Sequence, residues 1–319
     1  MKLIKEFSKP VGADAIVCFS VIRDETLLLP YFIDYYKKLG VTHFVFIDNG
    51  SIDTSSSYIL SREDISLRLY YTEEAYSENQ FGLTWINSLL RTDFKNNWCL
   101  AVDVDEYIMP RNNTGLLDLK QSMESGGYNV CQVFMVDFYP GVESTVFSYD
   151  PFEHSCYYDR AEDYKYYFLS MGPEGSTVIK GGSRQRIFNN CAADNESCCL
   201  NKKSFFINNM YDSHFLEVGM HWFLPNDFED WYTYSNWEQS ISTLNFYPEL
   251  QCMAHFKFVK PDLREFFKLR LSRNQDWGNS TEYKSYYENF TDNYYSSTHS
   301  QLFHNTKELY KHTIDMLQQ

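Results

Sequence analysis

The chain reads as an α/β protein whose central sheet is mostly parallel, with helices on both faces and a helical C-terminal extension. Over the first 140 residues, apolar runs of strand length alternate with stretches of helical periodicity. The segments between those runs are long enough for right-handed crossover helices. Polar and acidic residues gather where the strands end, which is where open α/β sheets hold their ligands.

The elements follow in order. Ala15–Ile22 is a strand-like run, and Leu27–Leu39 is a helix stopped by Gly40. Thr42–Ile47 gives the next strand, closed by Asp48-Asn49-Gly50-Ser51. A short helix at Thr54–Leu60 leads into a third strand, Ser66–Tyr71, and a helix at Asn79–Arg91 delivers the chain to Trp98–Val102. A helix at Leu116–Glu124 precedes a strand at Val130–Phe138. Beyond Gly141 the periodicity weakens. Residues 142–178 read as loops or a lid, Gly181–Phe188 as a turn into a strand, and Glu249–Val259 as a short strand. Leu263–Arg273 and Thr306–Leu317 are amphipathic helices joined by a polar, Tyr-rich link.

At 319 residues there is room for one large domain with an elaborated second half. We divide it into a core domain over 1–260, with halves at about 14–140 and 141–260, and a helical extension over 261–319 packed on that core. No apolar run reaches bilayer-spanning length, and the first ten residues lack a secretory pattern. The eight cysteines show no Cys-x-x-Cys spacing, and Cys191, Cys198 and Cys199 cluster without a nearby His. Both features point to a reducing cytoplasm. The net charge of −15 argues against nucleic acid or an anionic membrane as the main partner. The aromatic C-terminal helices leave peripheral contact at the inner membrane face open.

The chemistry concentrates at Asp103-Val104-Asp105-Glu106. A strand buried on both faces cannot hold these acids, so they emerge at its carboxyl end. Carboxylates so close repel one another unless a cation intervenes, and oxygen ligands suit Mg²⁺ or Mn²⁺. Arg23-Asp24-Glu25 and Asp48-Asn49-Gly50-Ser51 end two neighbouring strands, so a parallel sheet puts all three clusters on one edge. Taken singly, each has a plainer account: Asp24 or Asp53 as helix caps, Asp48 as a turn residue. Neither Gly-x-Gly-x-x-Gly nor a Walker lysine is present. Acids, a metal and no glycine cradle together suit a nucleotide diphosphate sugar.

These motifs carry a resemblance. Asp24-Glu25 before a helix, Leu39-Gly40-Val41-x-His43-Phe44, Asp48-Asn49-Gly50-Ser51-x-Asp53-Thr54 and Asp103-x-Asp105-Glu106 resemble family 2-like glycosyltransferases of the GT-A fold. The likeness is to the bacterial branch with an Asp-x-Asp-Glu motif, related to family 92. It continues through Asp137-Phe-Tyr-Pro-Gly141, Gly181–Phe188, Leu200–Lys203 and His255-Phe-Lys-Phe258, covering about residues 14–290. One departure is Asp24, where the family usually has Asn. Asp keeps the acceptor role of Asn but not its donor role.

The resemblance implies a metal-dependent, hexosyltransferase-type enzyme of polysaccharide biosynthesis. It would move a sugar from a nucleotide-sugar donor, uridine-linked, to a glycan or lipid-linked acceptor. Asp24, Glu25 and Asp48 would contact the nucleoside, with Gln80 and Asn87 beneath the nucleotide. Asp103 would face the ribose and the metal-bound phosphate, and Asp103, Asp105 and His255 would hold Mn²⁺ or Mg²⁺. Arg184, Arg186 and Lys202 are the cations chosen for the leaving diphosphate. Asp137, at a strand end, is the candidate base, with Glu217 and Asp227 as alternatives. His221 and Trp222 would form the acceptor platform. Two other classes stay open: a non-catalytic sugar- or nucleotide-binding protein, and a metal-dependent nucleotidyltransferase.

Overall fold

A computed structural model describes residues 1–111, 114–141, 148–161, 164–168, 177–188, 199–209, 214–216, 218–221, 223–225, 244–291 and 293–317. Its strands are β1 (Lys2–Lys5), β2 (Ile16–Ile22), β3 (His43–Asp48), β4 (Ser66–Tyr71), β5 (Trp98–Ala101), β6 (Glu106–Met109), β7 (Val130–Tyr139), β8 (Tyr157–Asp159), β9 (Tyr164–Phe168), β10 (Thr177–Gly181), β11 (Asn201–Ile207), β12 (His214–Leu216), β13 (Phe223–Pro225), β14 (Gln251–His255) and β15 (Ser300–Leu302). The helices are α1 (Leu29–Leu39), α2 (Ser55–Ser61), α3 (Leu83–Thr92), α4 (Leu116–Gly126), α5 (Pro151–His154), α6 (Gly182–Phe188), α7 (Leu263–Arg273), α8 (Trp277–Glu288), α9 (Thr306–His312) and α10 (Ile314–Leu317).

The main sheet runs β1-β4-β3-β2-β5-β11-β7-β14-β6. It is mixed, which corrects the expectation of a mostly parallel one. Strands β4, β3, β2 and β5 pair in parallel through helical crossovers. The second half of the chain then inserts β11 antiparallel between β5 and β7, and sets β6 antiparallel beside β14. Because β11 reverses both its neighbours, β7 and β14 still point the same way as β2 to β5. Six carboxyl ends therefore share one edge.

Alternation along the strands fills both faces. Ile16, Cys18, Phe44, Phe46, Trp98 and Leu100 meet α1, α2 and α4 on one side. Val17, Phe19, Val45, Ile47, Cys99 and Ala101 meet α3 on the other. Each fully buried Phe, Ile or Leu in these layers contributes about 1.5–3 kcal/mol of transfer free energy. A third cluster is aromatic: Phe267 of α7 and Tyr283 and Tyr286 of α8 pack on Tyr139, Phe188, Phe258 and Tyr294. That cluster fixes α7 and α8 near the carboxyl ends of β7 and β14.

Four segments differ from the sequence expectation. Within 142–178, α5, β8, β9 and the start of β10 are ordered elements too short to show a period. Gly181–Phe188 is not a turn into a strand: it leaves β10 and becomes α6, with positive φ at Gly181 (113°) and Gly182 (73°) making the reversal. The Tyr-rich link contains α8, hidden from periodicity because Tyr283 and Tyr286 replace aliphatic residues on its buried face. Thr306–Leu317 divides at Thr313 into α9 and α10.

Candidate functional site

A pocket of about 930 Å³, its open mouth included, lies at the shared strand edge. One wall comes from the loops after β2, β3 and β5: Arg23, Glu25, Asn49, Asp103 and Asp105, with Tyr76 beside them. The opposite wall comes from the chain after β14 and from α7 and α8. It carries His255, Lys257, Lys260, Phe266, Arg270, Arg273, Asp276 and Tyr283.

Register explains the central geometry. In the sheet, His255 lies beside Asp137 of parallel β7 and beside Glu106 of antiparallel β6. Its Nδ1 is 2.6 Å from Asp137 Oδ1, and its Nε2 is 3.5 Å from Asp105 Oδ2. Burial favours the neutral ring, but Asp105 and Asp137 outweigh it and raise the imidazole above its ordinary value. The same contacts act in reverse on Asp105. Burial opposes its ionised form, yet His255, Lys257 and Lys260 hold its carboxyl below the usual range. Asp103 behaves differently: desolvation, then Glu106, push its carboxyl up to about 6 against the pull of Lys202.

Asp105 and His255 satisfy part of a metal's requirements. Ligand atoms about 2.1 Å from one ion lie roughly 3 Å apart when adjacent, close to the observed 3.5 Å. A carboxylate behind the imidazole, as Asp137 is here, orients metal-binding histidines. Among the described residues no group of three or more His, Cys, Asp or Glu is arranged to hold a metal ion. An ion here would take its remaining ligands from phosphate oxygens and water, as Mg²⁺ commonly does.

Of the other sequence candidates, Glu25 lines the pocket, with Oε2 2.8 Å from Lys260. Asp24, at φ 58°, sits just behind the wall. Its Oδ1 accepts from Ile52 N (2.8 Å) and its Oδ2 pairs with Arg273 (2.8 Å). Asp48 is buried, with Oδ1 accepting from Ser51 N at 2.8 Å and Oδ2 from the Ser56 hydroxyl, so its atoms serve the turn. Gln80 is exposed and outside the pocket, and Asn87 binds the backbone of Leu216.

The three cations chosen from sequence stand behind the wall in internal pairs. Arg184 meets Asp137 (2.8 Å) and Glu282 (3.1 Å), Arg186 grips Asp159, and Lys202 bonds Glu106 and lies 3.7 Å from Asp103. Asp137 is buried, both its oxygens occupied by His255 and Arg184. His221 Nδ1 donates to the Asn201 carbonyl oxygen (2.7 Å), and burial, then Lys202, pushes its imidazole down to about 3. Trp222, Glu217 and Asp227 lie outside the described residues.

Residues 13–166 match the family model for glycosyltransferase family 92. This family 92-like segment covers just under half of the chain and supplies Arg23, Glu25, Asn49, Tyr76, Asp103 and Asp105 to the pocket. The whole opposite wall lies beyond it. No curated protein matches the chain. Among solved structures, a crystal structure of HddC from Yersinia pseudotuberculosis aligns with 40% of this chain and 60% of that chain, at 11% identity and a TM-score of 0.27. A likeness that slight bears on neither fold nor activity.

Sequence reasoning placed Arg23 in a strand-end cluster without giving it a role, and missed the pocket cations Lys257, Lys260, Arg270 and Arg273. Lys257 and Lys260 follow His255 closely, and Arg270 and Arg273 fall i,i+3 on α7, so spacing from the histidine held a usable signal. Among the described residues no helix is long and apolar enough to cross a membrane.

Proposed function

We propose that the protein is a glycosyltransferase that moves a sugar from a nucleotide-diphosphate donor to a glycan or lipid-linked acceptor, with Mn²⁺ or Mg²⁺ held by Asp105 and His255. The observation that carries this reading is the Asp105–His255 pair, braced by Asp137, in a pocket that the family 92-like segment half encloses. The uridine-linked donor rests on the resemblance of the strand-end motifs. When bound, the ion would offset charge on the departing diphosphate. Lys257 and Lys260 flank Asp105 and would add to that effect. Asp137 fits a positioning role better than that of a base, because His255 and Arg184 occupy both oxygens and it does not line the pocket.

A panel of nucleotide sugars, with and without Mn²⁺, tests the reading by thermal melting. A donor at about 100 times its Kd adds about 2.7 kcal/mol to stability. We expect a shift from one nucleotide diphosphate sugar that depends on Mn²⁺, followed by donor hydrolysis or transfer. A shift without turnover would favour a binding protein, and no shift with any donor would sink the proposal.

A further inference from the structure

Among the described residues five cations line the pocket, and four have a carboxylate partner. Lys257 pairs with Glu282 (3.1 Å), Lys260 with Glu25 (2.8 Å), Arg273 with Asp24 (2.8 Å), and Arg270 with Asp276. Arg23 is the exception among the described residues. Its Nη1 donates to the neutral side-chain oxygen of Gln275 at 3.3 Å, and its Nε is buried without an acceptor. The Nε of Arg270 is likewise buried and unanswered.

The surroundings compensate Arg23 poorly. Burial disfavours the charged form of Arg23, and Arg273 and Arg270 repel it, with Asp24 and Asp48 only partly compensating. A partly buried guanidinium with an unanswered Nε and no paired carboxylate is suited to receive an anion. The neighbouring acids do not fill that role, since Glu25, Asp24 and Asp276 each have a cation of their own. The chain carries a net charge of −15, yet among the described residues no carboxylate forms an ion pair with Arg23.

We propose that Arg23, backed by Arg270 and Arg273, forms an oxyanion seat for a phosphate group of the ligand. The planar guanidinium fork matches two phosphate oxygens, which a lysine ammonium cannot do. This rests on the reading of the pocket as a nucleoside diphosphate site, and it joins a residue of the family 92-like segment to two residues of α7 outside it. Arg23 adjoins Asp24 and Glu25 in sequence, but only the fold brings it to Arg270 and Arg273.

The test is calorimetric titration of the full chain at fixed ionic strength with EDTA present, so that no metal bridges ligand and protein. The probes are inorganic pyrophosphate, UDP and uridine. For Arg23→Gln we expect pyrophosphate and UDP to bind at least tenfold more weakly, with uridine changed less than twofold. Arg23→Lys, which keeps the charge but loses the fork, should fall between the two. It also serves as the deciding variant should Arg23→Gln fail to fold. Unchanged pyrophosphate affinity in the variants overturns the seat, as does a wild-type protein that binds neither pyrophosphate nor UDP. Wild-type binding of pyrophosphate with no gain from the nucleoside, lost in Arg23→Gln, upholds the seat and removes the nucleotide-donor reading instead.

Discussion

The two walls of the pocket are made from different kinds of sequence. The first follows from strands: apolar runs end, the chain turns, and Glu25, Asn49, Asp103 and Asp105 appear where the sheet stops. The second has no such rule. Arg270, Arg273 and Tyr283 stand on helices whose apolar pattern is weak or aromatic, held in place by Phe267, Tyr286 and ion pairs across the pocket. The first wall brings Glu25, Asp103 and Asp105 with a single cation, Arg23, and the second brings Lys257, Lys260, Arg270 and Arg273, so an anionic ligand needs both. A search confined to strand ends finds the acids and misses most of what balances them.

The largest expected effect falls on the first wall. Asp105→Ala removes the pocket carboxylate that faces His255 Nε2 at 3.5 Å. We expect turnover to fall at least 1,000-fold with every donor, about 4 kcal/mol in barrier height. The melting temperature should move little, because the side chain is partly open to the pocket. Full activity in this variant would detach the acids from the chemistry.

How much was legible follows the same division. Strands β2 to β5 and β7 are readable as apolar runs of strand length, and helices α1 to α4 by their 3.6-residue period. His255 was recognised through its motif, and its neighbour Asp137 was named, but their mutual contact was not. That contact depends on β14 pairing beside β7, a long-range choice that local pattern does not encode. Arg184, Arg186 and Lys202 were misplaced for the opposite reason. A cation next to a conspicuous motif looks free in sequence, and only the fold reveals Asp137, Asp159 and Glu106 behind the wall to engage it. Asp24 is the subtler case. As Asn it could not accept at both positions, and here one oxygen accepts from Ile52 N while the other meets Arg273.

The second wall should be the more fragile to charge removal. Glu282 joins Lys257 and Arg184, both at 3.1 Å. Glu282→Gln leaves those two cations underpaired and should cost about 3 kcal/mol at neutral pH. Burial alone would raise the Glu282 carboxyl, but Lys257 and Arg184 outweigh it and hold it below the ordinary value. A depressed folded-state pKa gives stability that is complete above the unfolded value of about 4.3 and is lost as pH falls through the folded one. Melting curves of wild type and variant should therefore lie apart at pH 7 and draw together below about pH 4. A constant gap would show that packing, rather than charge, sets the cost.

Gly82 probes how the first wall is supported. Gln80, Phe81 and Gly82 all take positive φ (49°, 54° and 87°), and this turn seats α3 later than periodicity suggests. A Cβ on Gly82 would meet Val21 Cγ2 at 2.8 Å and Tyr76 Cε2 at 3.2 Å, and both residues line the pocket. Gly82→Ala should cost about 2 kcal/mol from strain and overpacking together. Ligand affinity should weaken alongside, as Tyr76 is displaced. A destabilised variant with unaltered affinity would separate the turn from the site.

The smallest effect is the most direct measure of whether the walls are coupled. Asp24 and Arg273 are 249 residues apart and join the β2–α1 loop to the last turn of α7, with side chains 23% and 19% exposed. Asp24→Asn should cost about 1 kcal/mol, because the amide accepts at one atom where the carboxylate accepts at two. Arg273→Ala should cost a similar amount, and the double variant less than their sum by about 0.5–1 kcal/mol, read from denaturant unfolding. Strict additivity would mean the two residues act separately, with the aromatic cluster alone holding α7 in place. A positive coupling that disappears at 1 M salt would instead identify the bridge as electrostatic, since the Debye length there is about 3 Å.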